Sequence, residues 1–199
     1  MRDREYRDME LRLSKSDDIE QANFDVEGYA STFERYMLFA DEDGNEYFEQ
    51  IDPHAFDEAD LTDVVFRIDH TGPVYARTSA GTVNLFIDDH GLGQRTDLSK
   101  TQKARELYED IKAGNYPKMS FAFTVAEDHY DRATHTRHID KVSKVFDVSP
   151  VSFPANPTTE LSVSTRDYFN GVIEAEKAER LEREKREKQM KRIKILLEV

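Results

Sequence analysis

Residues 118–125 constrain the fold more than any other stretch, because large and small side chains alternate strictly along them. Every second residue from Met119 to Val125 is large and apolar, whereas the residues between them, starting with Ser120, are small. A period of two is the pattern of a β-strand, which turns successive side chains to opposite faces of a sheet. The stretch is therefore predicted to be a core strand, and Ser120 carries a hydroxyl within reach of neighbouring strands.

The composition predicts one domain with an appendage. The chain has 199 residues, of which 38% are hydrophobic and 35% charged, and its twelve Phe and nine Tyr suffice for one aromatic-rich core. It has no Cys, which excludes disulfides, thiolate catalysis and Cys-based zinc sites and fits a reducing compartment. The first residues lack an apolar signal region, and no apolar run approaches the roughly 18 residues that span a bilayer, so we expect a cytosolic protein without a membrane partner.

Charge is distributed unevenly along the chain. The net charge is −13, which argues against nucleic acid as a partner. Residues 170–199 carry nine basic and seven acidic side chains, a net charge of +2, which leaves −15 for the rest. We therefore predict a folded domain at 1–165 and a charged helical tail at 166–199. The tail is either a solvated helix or a docking and oligomerisation helix.

The rest of the domain is predicted to be rich in strands, with one clear helix. The charged segment 1–14 is expected to be an edge strand, and further strands are expected at residues 24–33, 63–70, 81–87 and 144–151. Apolar side chains recur at helical spacing in residues 100–113. Ser99 with Gln102 forms a capping box before this helix, and Gly114 stands at its C-terminal cap position.

Three of the predicted strands carry a polar side chain that suits acyl-transfer chemistry. His70 ends one strand, Ser120 lies in the alternating strand, and Asp147 stands in the middle of an apolar strand. A serine hydroxyl needs a base such as imidazole to become a nucleophile, and the imidazole needs a carboxylate to orient it. A carboxylate inside an apolar strand also needs a partner. His54 and His90 remain alternative bases at this point.

Six groups of short segments, colinear over about residues 24–163, resemble motifs of one protein family. In chain order they are Gly28-Tyr29-Ala30-Ser31-Thr32-Phe33; Ile51-Asp52-Pro53-His54-Ala55-Phe56; the strand into Asp69-His70; Arg77-Thr78-Ser79-Ala80-Gly81-Thr82 with Asp88-Asp89-His90-Gly91-Leu92; Met119-Ser120-Phe121-Ala122-Phe123; and Asp147-Val148-Ser149-Pro150-Val151 with Phe153-Pro154-Ala155-Asn156-Pro157. Each motif is weak alone, but together and in this order they resemble the prohead (capsid maturation) proteases of tailed bacteriophages. That family is related in fold to the herpesvirus assemblin proteases.

The resemblance implies a serine endopeptidase with His70 as general base, Ser120 as nucleophile and Asp147 as orienting acid, and it implies no metal and no cofactor. The implied fold is α+β and mainly β: a small closed antiparallel β-barrel flanked by helices, here with a charged C-terminal helix added. Two positions depart from the family pattern. Asp69 stands where the family more often has Asn, so it competes with Asp147 as the orienting acid, and Ala122 stands where glycine is usual.

The resemblance also implies substrates and a place of action. The substrates would be the scaffold and the scaffold-like part of the major capsid protein, cleaved inside the procapsid in the host bacterial cytoplasm. Self-cleavage often accompanies this, with the charged tail either as a target or as a packaging handle. A homodimer or higher oligomer is expected because related viral enzymes are activated by dimerisation.

Two rival functions use other features of the sequence. A non-catalytic capsid scaffold or assembly factor would bind through the charged tail, but the presence of all three triad residues argues against it. A metal-dependent hydrolase would use the histidines and nearby Asp of residues 129–138, a polar, alternating segment predicted to be an exposed hairpin, but this segment lacks a motif that fixes two ligands on one face. The hairpin histidines are His129, His135 and His138.

Overall fold

Ten strands and two α-helices form the part of the chain that the computed structural model describes, which is residues 4–13, 24–152 and 163–197. In chain order they are β1 (Glu5–Leu13), β2 (Asp25–Thr32), β3 (Tyr36–Ala40), β4 (Glu46–Ile51), β5 (Val65–Arg67), β6 (Val74–Arg77), β7 (Val83–Ile87), β8 (Gly91–Asp97), α1 (Gln102–Lys112), β9 (Lys118–Asp131), β10 (Thr136–Val151) and α2 (Val163–Leu197). A 3₁₀ turn, Thr78–Ala80, follows β6. The chain divides into two compact units, Met1–Ser162 and Val163–Val199. The prediction of an α+β fold made mainly of strands is confirmed.

The strands of the first unit belong to one sheet. Eight of them follow one another across it in the order β3-β4-β10-β9-β1-β2-β8-β7. The remaining two branch from this path, because β5 pairs with β10 and β6 pairs with β5. The sheet is mostly antiparallel, but β10 pairs in parallel with both β4 and β5.

The closed antiparallel barrel expected from the resemblance is not supported by this pairing. Closure requires the two end strands of a sheet to pair with each other. The ends here are β3 and β7, and no pairing joins them within the described residues. The physical reason lies in β10, whose 16 residues include four register shifts against β9. Its other edge takes β4 along the first part and β5 along the last, so the sheet branches at β10.

The strand that carries Ser120 lies in the centre of the core, as its alternation predicts. Met119, Phe121 and Phe123 are fully buried on β9, and the Phe121 and Phe123 rings stack with centroids 4.4 Å apart. The face with small side chains is buried as well, since Ser120 is 1% exposed. Both faces of β9 are therefore covered, which fixes the strand firmly in the sheet.

The charged segment expected at an edge lies inside the sheet instead, because β1 pairs with β9 on one side and with β2 on the other. Its buried charges are neutralised by partners from distant strands. Arg7 donates to Glu49 at 2.5 and 2.6 Å, and Arg137 donates to Glu5 at 2.7 and 3.0 Å. Arg137 also donates to Asp128 at 2.8 Å. These five side chains are called the buried ion cluster below.

The two helices differ in how far their side chains are buried. α1 buries Ala104, Leu107 and Ile111 as its periodicity predicts, but the predicted N-terminal capping box of Ser99 with Gln102 is wrong. The cap is Thr101, whose hydroxyl accepts from the Ala104 N–H at 3.1 Å, because the helix begins at residue 102 and not at 100. α2 is 35 residues long, and the side chain of its Met190 is 66% exposed. Among the described helices, none is both long enough and apolar enough to span a bilayer.

Candidate active site

The turn after β5 presents His70 in an unusual backbone conformation. Asp69 and His70 have φ angles of +46° and +57°, in the left-handed region that most L-residues avoid. Such conformations cost about 1–3 kcal/mol each and persist only where surrounding contacts hold them. Hydrogen bonds close the turn itself: among them, the Gly72 N–H donates to the Ile68 carbonyl at 2.8 Å, and the Arg67 guanidinium donates to the Gly72 carbonyl at 2.7 Å.

Ser120 lies near the start of β9, where the chain is held tightly. The strand begins soon after α1, and the connection includes Gly114 at a φ of +85°, whose N–H donates to the Ile111 carbonyl. Across the sheet, Ser120 is the direct partner of Ser149 on β10. The position of the Ser120 hydroxyl is therefore set by a short connection and by a paired strand.

Asp147 lies on β10 at an irregular point of the sheet. A register shift against β9 falls between Val145 and Asp147, and on its other side Asp147 pairs in parallel with Val65 of β5. The residue is 2% exposed. Because β5 runs beside this part of β10, the turn that follows β5 is brought next to Asp147.

These elements bring the three predicted residues into one hydrogen-bonded chain. His70 Nδ1 lies 2.6 Å from Asp147 Oδ1, and His70 Nε2 lies 2.8 Å from Ser120 Oγ. With a proton on Nδ1, the imidazole donates to the carboxylate and its Nε2 accepts from the serine hydroxyl. A ring held in this way can remove the proton from Ser120 Oγ, and the carboxylate can stabilise the imidazolium that forms.

The competing carboxylate, Asp69, faces another partner. Its oxygens accept from the Ser152 N–H at 2.9 Å and from the Ser152 hydroxyl, which lies 3.0 and 3.1 Å from them. The backbone N–H of Asp69 donates to the Pro150 carbonyl at 3.2 Å. The ring of His70 is thus paired with Asp147, while Asp69 ties the same turn to the end of β10.

Ser149 is a fourth residue of the site, and the sequence reasoning missed it. Its hydroxyl donates to Asp147 Oδ1 at 2.6 Å, and the residue is fully buried. The same carboxylate oxygen therefore accepts from both His70 and Ser149. A signal was present in the sequence, because residues two apart on a strand face the same side of the sheet.

The alternative bases lie in other contacts. His54 Nδ1 is 3.1 Å from Asp57 Oδ2, and the side chain of His54 is 83% exposed. The ring of His90 packs edge-on against Tyr29, with centroids 4.4 Å apart. Neither contact involves Ser120 or Asp147, so the geometry favours His70 as the base.

The three hairpin histidines pack against neighbouring rings. His129 stacks on His138, with centroids 4.8 Å apart, and its Nδ1 lies 2.7 Å from Asp140 Oδ2. His135 stacks on Tyr47. In residues 4–13, 24–152 and 163–197, no group of three or more His, Cys, Asp or Glu side chains is placed to hold a metal ion. The predicted motif at residues 153–157 lies outside the described residues.

Comparison with protein families identifies the family to which the chain belongs. The family model of the caudovirus prohead serine proteases matches residues 9–172, which is most of the chain. This match assigns the protein to the class of serine proteases. More narrowly, the chain belongs to the caudovirus prohead serine protease family, which confirms the resemblance seen in the short motifs. Comparison with the curated proteins and with the solved structures gives no significant match.

Proposed function

We propose that this chain is the endopeptidase that cleaves the capsid scaffold, or the scaffold-like part of the major capsid protein, during prohead maturation. In this proposal Ser120 is the nucleophile, His70 the general base and Asp147 the orienting acid. The observation that supports it best is the hydrogen-bonded chain from Ser120 Oγ through the His70 ring to Asp147 Oδ1, with lengths of 2.8 and 2.6 Å. Family membership supports the reaction class.

The catalytic cycle would follow from this arrangement. Ser120 Oγ attacks the scissile carbonyl carbon while His70 Nε2 takes the hydroxyl proton, and Asp147 stabilises the imidazolium. The protonated Nε2 then gives its proton to the leaving amine as the C–N bond breaks, which leaves an acyl group on Ser120. A water molecule, activated by the same nitrogen, releases the acyl group and restores the serine.

The surroundings of the triad support such a role. Asp147 is 2% exposed, so its attraction for the imidazolium is screened by water much less than on a surface. The side chain of His70 is 17% exposed, whereas Ser120 is 1% exposed. A substrate would therefore approach Ser120 from the side on which His70 meets solvent.

The proposal extends to organisation and location. The protease domain would comprise residues 1–165 and the tail residues 166–199, with self-cleavage directed at the charged tail. The enzyme would act inside the procapsid in the host bacterial cytoplasm, as a homodimer or higher oligomer. Support for an assembly role comes from α2, which exposes Leu181, Met190 and Ile193 along its length. The net charge of −13 supports a protein substrate over nucleic acid.

The decisive experiment is co-expression with the capsid protein and scaffold of the same phage. Wild type should process them, and Ser120→Ala should not, since loss of a triad nucleophile lowers kcat by about 10⁶-fold. Ser31→Ala is the matched control, because Ser31 is another fully buried strand serine and its hydroxyl donates to the Thr32 carbonyl at 3.3 Å. Processing that persists in Ser120→Ala would exclude Ser120 as nucleophile, whereas a wild type that processes neither protein would favour a non-catalytic assembly role.

A second test needs no knowledge of the cleavage site. A fluorophosphonate probe bonds covalently to a serine that a base has activated, with fluoride as the leaving group. We expect labelling of the wild type at Ser120, located by peptide mass spectrometry. His70→Ala should abolish labelling, because the base that takes the hydroxyl proton is gone.

A further inference from the structure

We propose that Asp69 is a positioning residue, which holds the backbone of His70 through Ser152 while Asp147 holds the ring. This inference rests on the proposed role of His70 as the general base. It starts from the finding that a carboxylate next to the base accepts hydrogen bonds from the N–H and from the hydroxyl of Ser152.

The turn that carries His70 is attached to β10 and its continuation at three points. The His70 ring meets Asp147, the Asp69 N–H meets the Pro150 carbonyl, and the Asp69 carboxylate meets Ser152. The first contact orients the ring alone. The other two contacts hold Asp69, the residue that precedes His70, so they fix the position of the backbone from which the imidazole extends.

The backbone conformation makes these attachments necessary. Both Asp69 and His70 have positive φ angles, which are uncommon for residues other than glycine, although Asp and His adopt them more often than most. If the tie to Ser152 is lost, the turn is free to relax toward ordinary φ values. The Nε2 atom would then leave its place 2.8 Å from Ser120 Oγ, although every triad residue is still present.

The expected size of the effect follows from the geometry of proton transfer. A misplacement of about 1 Å costs on the order of 10²-fold in rate. Asp147, the Pro150 carbonyl and the bonds within the turn remain after the Ser152 tie is lost, so the shift should be smaller than this. We therefore expect a loss of about tenfold, and it should appear in the activation of Ser120 and not in substrate binding.

The experiment measures the second-order rate of Ser120 labelling by the fluorophosphonate probe in the full chain. Asp69→Gly removes the carboxylate but accepts a positive φ freely. Asp69→Asn keeps an acceptor and tolerates the same φ. Ser152→Ala removes the hydroxyl from the other side of the contact and keeps the N–H donor. Asp88→Gly is the matched control, because Asp88 is also an exposed carboxylate that accepts from backbone N–H groups, those of His90 and Gly91.

We expect labelling to be about tenfold slower in Asp69→Gly, within about threefold of wild type in Asp69→Asn, and unchanged in Asp88→Gly. The double variant Asp69→Gly/Ser152→Ala should be labelled no more slowly than Asp69→Gly alone, because both substitutions remove the same contact. Thermal unfolding followed by tyrosine fluorescence checks that each variant is folded at the assay temperature. If Asp69→Gly is not folded, Ser152→Ala decides, with an expected loss of about threefold.

Wild-type labelling rates in both Asp69→Gly and Ser152→Ala would overturn the positioning role and leave the proposed triad intact. A wild type that is not labelled at Ser120 would instead overturn the proposed function, and the positioning role with it. Failure of the inference is thus distinguishable from failure of the proposed function. Rescue by Asp69→Asn separates a hydrogen-bonded tie from a general requirement for charge.

Discussion

Replacing Arg137 by Met tests how strongly the free energy of unfolding depends on keeping the carboxylates of the buried ion cluster paired. The side chain of Arg137 is 3% exposed and donates to Glu5, Glu49 and Asp128. Burial alone lowers the pKa of Arg137, but the hydrogen bond to Glu5 and the charges of Glu49 and Glu5 outweigh it and raise the pKa above its ordinary value. The guanidinium is therefore charged throughout the pH range in which the protein is folded.

The cost of Arg137→Met follows from what is left behind. Met keeps most of the apolar stem, so packing changes little. The three carboxylates lose a shared cation while they remain buried, and breaking a buried ion pair from one side costs about 3–5 kcal/mol. Arg95→Met is the matched control. Arg95 also donates twice to one carboxylate, Glu27, at 3.0 and 2.6 Å, but its side chain is 55% exposed, and such pairs contribute about 0–1 kcal/mol.

Equilibrium unfolding in urea provides the measurement, with tyrosine fluorescence as the signal. The comparison is made in a Ser120→Ala background, so that self-digestion cannot distort the curves. With a slope of about 1–3 kcal/mol per molar urea, losses of about 3–5 and 0–1 kcal/mol lower the midpoint by about 1–5 M in Arg137→Met and by at most about 1 M in Arg95→Met. Equal small losses in both variants would show that folding does not depend on pairing these carboxylates with Arg137, and would refute the reasoning.

Two further predictions concern the candidate active site and the stability of the first compact unit at acid pH. Ser149→Ala should lower kcat/KM by about tenfold, because Asp147 loses a charged hydrogen bond; unchanged kinetics would reduce Ser149 to a packing role. Hydrogen bonds from Lys144 and Thr62 hold the pKa of Asp60 well below 3.8. A carboxyl group whose pKa is lower in the folded state than in the unfolded state stabilises the protein at pH values above its unfolded-state pKa. This stabilisation is lost as the pH falls through the folded-state pKa. Asp60→Asn should therefore show a shallower loss of stability below about pH 4, measured by urea unfolding at a series of pH values; parallel curves for the two proteins would contradict this.

Local features of the fold followed from the sequence. The alternation around Ser120 predicted a buried strand, and the apolar spacing in residues 100–113 predicted α1 to within two residues at its start. The cap was misplaced because Ser99 and Thr101 both suit the position, and only the start of the helix at Gln102 decides between them.

Long-range features could not be predicted in the same way. The charges of β1 suggested an edge, because the ion partners that make their burial tolerable lie up to 132 residues away. The barrel failed to close because β10 has a different partner strand on each part of one edge, and alternation does not specify partners.

For the candidate site, the motifs supplied His70, Ser120 and Asp147, but they could not decide between Asp69 and Asp147. That choice depends on the turn after β5, where positive φ angles send two neighbouring side chains to different parts of β10. The sequence shows the two residues side by side and does not show that conformation.

The position of β1 also bears on when the protein can fold during synthesis. β1 is synthesised before the other described strands, yet one of its edges can pair only after β9 has been made, and the ion pair of Glu5 with Arg137 can form only after Arg137 has been made. Folds dominated by such distant pairings form slowly. A nascent chain that ends before residue 147 has neither a completed central sheet nor a carboxylate for His70. The proposed triad can therefore assemble only after nearly the whole of the first compact unit has been made.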